Sequence, residues 1–146
     1  MRFLSVAAGV VLAAAPAVAH EMKFLGPRGG QLAHVGANHF ELVPQPAGGA
    51  RLYVYDATPE KRPVDAARAR ATARFVVDGR MAQASFVPAG GNTLMASGVR
   101  LGGDWTAIVQ AGLAPGKPGV TVRFSARAMA AQSEASSVKV SAHAGH

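Results

Sequence analysis

The residues best suited to chemistry lie in one short stretch, Pro27-Arg28-Gly29-Gly30-Gln31-Leu32-Ala33-His34-Val35-Gly36-Ala37-Asn38-His39-Phe40-Glu41-Leu42-Val43. It holds two of the five histidines and one carboxylate behind a glycine-rich bend. If residues 39–42 are extended, a period of two puts His39 and Glu41 on one face and Phe40 and Leu42 on the other. An imidazole and a carboxylate two residues apart on a strand are the nucleus of a metal site. The plain alternative is a solvated His-x-Glu on the wet face of a half-buried strand, because a metal wants three or four ligands and only two are visible here. With no cysteine in the chain, any metal site must use nitrogen, oxygen or thioether ligands, and no disulfide supports the core.

A third histidine enters through the start of the chain. Met1-Arg2-Phe3-Leu4 carries one positive charge, an apolar run follows from Val6 to Leu12, and Ala17-Val18-Ala19 has the small-x-small pattern of a signal-peptidase site. Residues 1–19 therefore read as a secretory signal, and the expected location is a bacterial periplasm. Cleavage after Ala19 would make His20 the first residue, offering a free amine and a ring nitrogen to one ion. That chelate suits copper, especially when a second histidine completes a nitrogen-rich plane. Met22 adds a thioether for copper(I). No later stretch approaches the roughly 20 apolar residues of a membrane helix, so no membrane insertion is expected once the signal is removed.

The elements that must position these groups read as strands. Arg51-Leu52-Tyr53-Val54-Tyr55-Asp56 alternates strongly. Residues 69–77 and 81–87 flank Asp78-Gly79, a strong hairpin signal. A short strand at 93–96 follows the Ala89-Gly90-Gly91-Asn92 turn, then Trp105-Thr106-Ala107-Ile108-Val109 and Val120-Thr121-Val122-Arg123-Phe124. Glycine or proline punctuates every gap, and no segment sustains a period of 3.6 residues. The expected fold is all-β, an antiparallel β-sandwich of immunoglobulin-like character with about seven strands, spanning residues 20–127. Trp105 reads as a core plug. Residues 128–146, rich in alanine and serine, read as a flexible tail, with Val138-Lys139-Val140 a marginal edge strand. Its His143 and His146 have no preorganised geometry and would catch metal only weakly.

The charge balance narrows the partners. The formal net charge is +7, and Arg68, Arg70 and Arg74 form the densest basic group. In a strand they share one face by parity, which fits a solvated sheet surface or a contact with anionic envelope components. Nucleic acid is a poor fit, because no stacking aromatics are interleaved with these arginines. No nucleophile elbow, cysteine nucleophile or phosphate loop is present, so the chain is not expected to be an enzyme. A copper-dependent oxidase-like activity is a third and weaker reading, since it would need an open coordination position beside a substrate surface.

Five short motifs carry a resemblance: Pro27-Arg28-Gly29-Gly30, His39-Phe40-Glu41-Leu42-Val43, Leu52-Tyr53-Val54, Pro63-Val64-Asp65 and Pro88-Ala89-Gly90-Gly91-Asn92. Together they resemble small periplasmic domains associated with bacterial heavy-metal efflux systems. Those domains carry Pro-His-Gly-Gly, His-x-Glu-Leu-Val, a Leu-Tyr-Val strand, Pro-Val-Asp and a Pro-x-Gly-Gly-Asn turn. The resemblance implies a protein that buffers copper, or zinc as second choice, or delivers it to a periplasmic component of a metal efflux system. The chain departs from the pattern at Arg28, which stays protonated and cannot ligate a metal. Either the metal site is lost in this chain, or His34 and His20 supply what Arg28 does not; on the second reading His39 and His34 are the core ligands, Glu41 an oxygen ligand or a partner behind them, and His20 the closing ligand. The rival reading is a metal-free interaction module of the cell envelope that docks through strand edges or its basic face.

Overall fold

The Asp78-Gly79 pair turns the chain as its sequence predicts, with φ of 47° and 80° at the two positions. Both are left-handed, the backbone that a tight two-residue hairpin needs and that Asp-Gly supplies at low cost. Val77 and Arg80 face each other across this turn. A computed structural model describes the backbone of residues 20–143 and the side chains of residues 22–140. The expected signal at 1–19 and His146 lie outside the described residues.

The described residues form nine strands and one helix: β1 (His20–Glu21), β2 (Gln31–Val35), β3 (Asn38–Pro44), β4 (Ala50–Asp56), β5 (Arg70–Val77), β6 (Arg80–Pro88), β7 (Thr93–Ala96), β8 (Trp105–Gly112), β9 (Val120–Ser125) and α1 (Ala126–His143). All pairings are antiparallel, in the order β1-β2-β3-β4-β7-β6-β5-β8-β9. The fold is all-β in its main body, as expected. The strand count exceeds the expected seven because the stretch around His34 and His39 is itself a hairpin, and because His20–Glu21 adds a short outer strand.

The order is continuous because β6 serves two neighbours. Residues 80–86 pair with β5, and Val87 and Pro88 pair with β7. At the far side β9 comes back to β2, where Gln31 Oε1 accepts the Ser125 N–H at 2.7 Å. The sheet is thus nearly closed, and a buried side-chain amide seals the seam.

One side of the strands lines the interior, filled by Phe40, Leu42, Leu52, Val54, Phe75, Phe86, Leu94, Trp105, Val109, Val122 and Phe124. Trp105 is buried in this core, as expected. Arg70 and Arg74 alternate with buried alanines along β5 and are exposed, as parity predicts.

The segment expected to be a flexible tail from Ala128 is instead helical from Ala126 to His143. Its alanines, read as low complexity, are the strongest helix formers, and Ser125 caps the start by accepting the Ala128 N–H on Oγ at 3.1 Å. The same helix takes in Val138-Lys139-Val140, which the alternation marked as a marginal strand. Gln132 docks the helix. Its Oε1 accepts the Leu32 N–H at 2.9 Å, and its Nε2 donates to the carbonyls of Leu32 at 3.0 Å and Met22 at 2.7 Å. The amide thereby stands in for a strand at the point where the chain leaves β1. Replacing Gln132 with alanine leaves a buried N–H and two carbonyls unpartnered, so we expect a loss of about 1–3 kcal/mol in urea unfolding. Ser133→Ala, on the exposed side of the helix, should stay within about 0.5 kcal/mol of the parent.

Candidate functional site

The β2–β3 hairpin turns through Gly36, whose φ of 58° suits glycine, and this two-residue turn fixes the register His34↔His39. The β1–β2 pairing places His20 opposite His34. Three histidines therefore occupy one row across three adjacent strands, two of them with described side chains. Adjacent rows on this face carry Glu41 opposite Tyr53, while Tyr55 lies opposite His39. This is the face of β3 turned away from Phe40 and Leu42, as the period of two predicts. It is not a wet face, because His39 is only 5% exposed and Glu41 0%.

The rings of His34 and His39 lie 4.8 Å apart, centroid to centroid, and are tilted by 40°. Each ring uses one nitrogen on a backbone carbonyl: His34 Nε2 meets Gly36 O at 2.8 Å, and His39 Nδ1 meets Asp56 O at 2.8 Å. A carbonyl can only accept, so in both rings that nitrogen carries the hydrogen. His34 Nδ1 and His39 Nε2 are then the lone-pair nitrogens of the neutral rings. The Asp56 carbonyl is itself held in place: the Asp56 carboxylate accepts from Thr58 N at 3.2 Å, Thr58 Oγ1 at 2.5 Å and Arg62 N at 3.0 Å. The Thr58 hydroxyl bond and these amides hold the Asp56 carboxyl below its ordinary range.

Glu41 is turned to the protein. Its Oε1 accepts the backbone N–H groups of Arg28 and Gly30, both at 2.8 Å, and its Oε2 accepts the Tyr55 hydroxyl at 2.8 Å. The Gly26–Gly30 turn wraps so closely around the carboxylate that a Cβ at Gly26 would sit 2.3 Å from Glu41 Cδ. A Cβ at Gly30 would sit 2.3 Å from the Leu42 carbonyl oxygen. The Arg28 guanidinium lies over the Tyr53 ring, 5.2 Å from its centroid. Burial pushes the Glu41 carboxyl above the ordinary carboxylate range, against the pull of the Gly30 amide, the Tyr55 hydroxyl, the Arg28 amide and the Arg28 charge. Burial and the neighbouring Glu41 hold the Tyr55 hydroxyl well above its ordinary value, so it stays a donor.

The structure thus brings His34 and His39 together and sets His20 in their row by backbone register. It commits both Glu41 oxygens to protein donors. Among the described side chains, no group of three or more His, Cys, Asp or Glu residues is placed to hold a metal ion. Sequence reasoning missed Tyr55 as the partner of Glu41, although the two lie on strands whose alternation was plain. It also missed Gln132, which the low-complexity reading hid. Comparisons of the chain with protein-family models, with curated proteins and with solved structures gave no match.

Since the folded pKa of Glu41 is raised, its contribution to stability is fully present below the unfolded value of 4.5 and is lost as pH rises through the folded value. Glu41→Gln, which keeps the acceptor and lacks the charge, should flatten that slope in denaturant unfolding across the mildly acidic range. Glu41→Ala should cost about 3–5 kcal/mol, because it orphans two buried amides and a hydroxyl. A Glu41→Ala protein as stable as the parent at pH 7 would show that the turn does not need the carboxylate.

Proposed function

We propose that the outer face of β1–β3 binds a borderline transition-metal ion, with His34 Nδ1 and His39 Nε2 as the core ligands and His20 as the closing one. The observation that carries this reading is the closeness of the two rings, 4.8 Å between centroids, each with one nitrogen held on a backbone carbonyl. Each ring donates its other N–H to a fixed carbonyl, the arrangement that sets tautomer and direction in histidine metal sites. With metal–nitrogen bonds of about 2.0–2.1 Å and a ring centre roughly 1.2 Å behind each nitrogen, two imidazoles at about 90–110° on one ion have centroids roughly 4.5–5.2 Å apart. The observed 4.8 Å falls in that range.

Copper is the first choice of metal and zinc the second. A chain starting at His20 adds an amine beside the ring nitrogen, and a nitrogen-rich set favours copper in the affinity order of divalent ions. Glu41 acts from behind: it holds the Gly26–Gly30 turn and Tyr55 against the strand that carries His39. The scaffold in this reading is sandwich-like, two groups of strands sharing β6, and the immunoglobulin-like character is part of the proposal. The setting is a periplasm, reached through the signal at 1–19, and the role is to buffer the ion or hand it to an efflux partner rather than to catalyse a reaction. The motif resemblance supports that setting. A metal-free interaction role is the second reading, favoured by an unpaired length of β6.

Titration of the chain beginning at His20 with copper(II) and with zinc should give one equivalent bound, with copper tighter. His34→Ala and His39→Ala should each weaken binding by at least about tenfold, the usual scale for losing a direct ligand or its orienting partner, and Glu41→Gln should keep it. Acetylating the terminal amine should weaken copper binding if His20 closes the site. Binding should also weaken in acid, since the ligand nitrogens must be deprotonated. Binding indifferent to both histidine substitutions, or no binding tighter than roughly micromolar, would remove the metal reading.

A further inference from the structure

The hairpin geometry leaves part of β6 without a neighbour. Val77 and Arg80 flank the two-residue turn and exchange backbone bonds, so along β6 the residues Arg80, Ala82, Ala84 and Phe86 bond to β5. Met81, Gln83, Ser85 and Val87 direct their N–H and C=O groups the other way. Val87 meets β7 through its pairing with Met95. Beyond Ala96 the chain leaves this line: Gly98 has a φ of 79°, and the Val99 carbonyl is drawn to Gly49 N at 2.5 Å. Among the described residues, no strand pairs with Met81, Gln83 or Ser85 on their open side.

A cleft of about 470 Å³ runs between the β6 edge at Arg80, Met81 and Ala82 and the segment Gly98–Arg100. Ala82 and Ala84 pack on the core yet remain partly open to solvent, because nothing covers them from this side. On the outer face Met81 is 69% exposed and Val87 54%. The cationic groups at the cleft are Arg80 and Arg100, and Arg74 stands opposite Gln83 one strand further in. Asp78 is the one acid lining the cleft, and its Oδ1 accepts the Asp104 N–H at 3.3 Å.

We propose that this edge is an acceptor for an extended acidic segment of a partner protein, which adds as a strand beside residues 81–85. Main-chain bonds to Met81, Gln83 and Ser85 would supply affinity, and alternating side chains would supply selectivity. Inward-facing residues of the segment would cover Ala82 and Ala84, beside the already buried Val99, and so should be apolar. Outward-facing ones would lie in the field of Arg74 and Arg100, with the exposed Arg80 adding positive charge at the hairpin end of the cleft, and so should be acidic. A second copy of this chain is disfavoured as the occupant, since it would bring another body of net charge +7 to a cationic edge. This surface lies on strands remote in the sheet order from the histidine row and does not depend on metal binding.

The probe is a capped heptapeptide of alternating glutamate and valine, with a lysine–valine peptide as its control, titrated into the chain beginning at His20 and followed by amide NMR. The glutamate peptide should bind saturably, perturb the Met81, Gln83 and Ser85 amides most, and slow their hydrogen exchange at least tenfold. Gln83→Pro removes an outward N–H that β5 does not use, and it should weaken binding at least tenfold. The double variant Arg80→Glu with Arg100→Glu should lose the glutamate peptide and gain the lysine one, which decides the matter if the proline variant fails to fold. Equal binding of both peptides, perturbation centred elsewhere, these amides already protected in the free chain, or a dimer closed through the same edge would each overturn the proposal.

Discussion

A carboxylate with no exposure to water must find donors or lose its charge, and Glu41 organises the front of this protein by that requirement. Two amides of the Gly26–Gly30 turn and the Tyr55 hydroxyl meet the need. The turn is consequently pinned to β3, and β4 is tied to β3 by a side-chain bond as well as by its ladder. The close packing against Gly26 and Gly30 explains the glycines at both positions, since a side chain at either would collide with the carboxylate or with the Leu42 carbonyl. His39, two residues along the same strand, inherits that rigidity. Its ring is held from the other side by the Asp56 carbonyl, in a loop that the Asp56 carboxylate closes.

Strand positions were readable wherever alternation and turn chemistry agreed. Asp78-Gly79 announced the β5–β6 hairpin, and Leu52 and Val54 announced which side of β4 faces the core. Closure of the sheet was not readable, because it depends on a buried Gln31 amide meeting Ser125 across 94 positions of sequence, and no local pattern encodes such a contact. The helix was missed for a different reason. Its fully buried side chains are only Ala128 and Gln132, and Met129 is the one large apolar residue it packs on the core, so it lacks the apolar stripe by which helices are recognised. What fastens it is hydrogen bonding to β2 and to the segment at 22–25, including Leu25 N–H to Ser136 Oγ at 3.3 Å.

The candidate site was half legible for similar reasons. Parity put His39 and Glu41 on a common face, and the face was there. Their division of labour was not visible, because burial turned Glu41 towards backbone donors while His34 and His39 kept a free nitrogen each. The row formed by His20, His34 and His39 comes from register across two pairings, which spacing along one strand does not reveal. Several motifs that carried the family resemblance prove to be structural. Asn92 Nδ2 donates to the Val54 carbonyl at 3.0 Å, the Val54 N–H returns to Asn92 O at 3.0 Å, and Asp65 caps Ala67.

Arg28 can be understood on the same terms. The residue serves Glu41 through its backbone N–H, which any residue but proline would supply. The side chain is therefore free to vary without unpinning the turn. A guanidinium there lies over Tyr53 and places a permanent positive charge near the Glu41–Tyr55 pair, where it favours the ionised carboxylate. A neutral imidazole at this position would leave that charge less compensated. Arginine at position 28 thus strengthens the support behind β3 by favouring the charged form of Glu41.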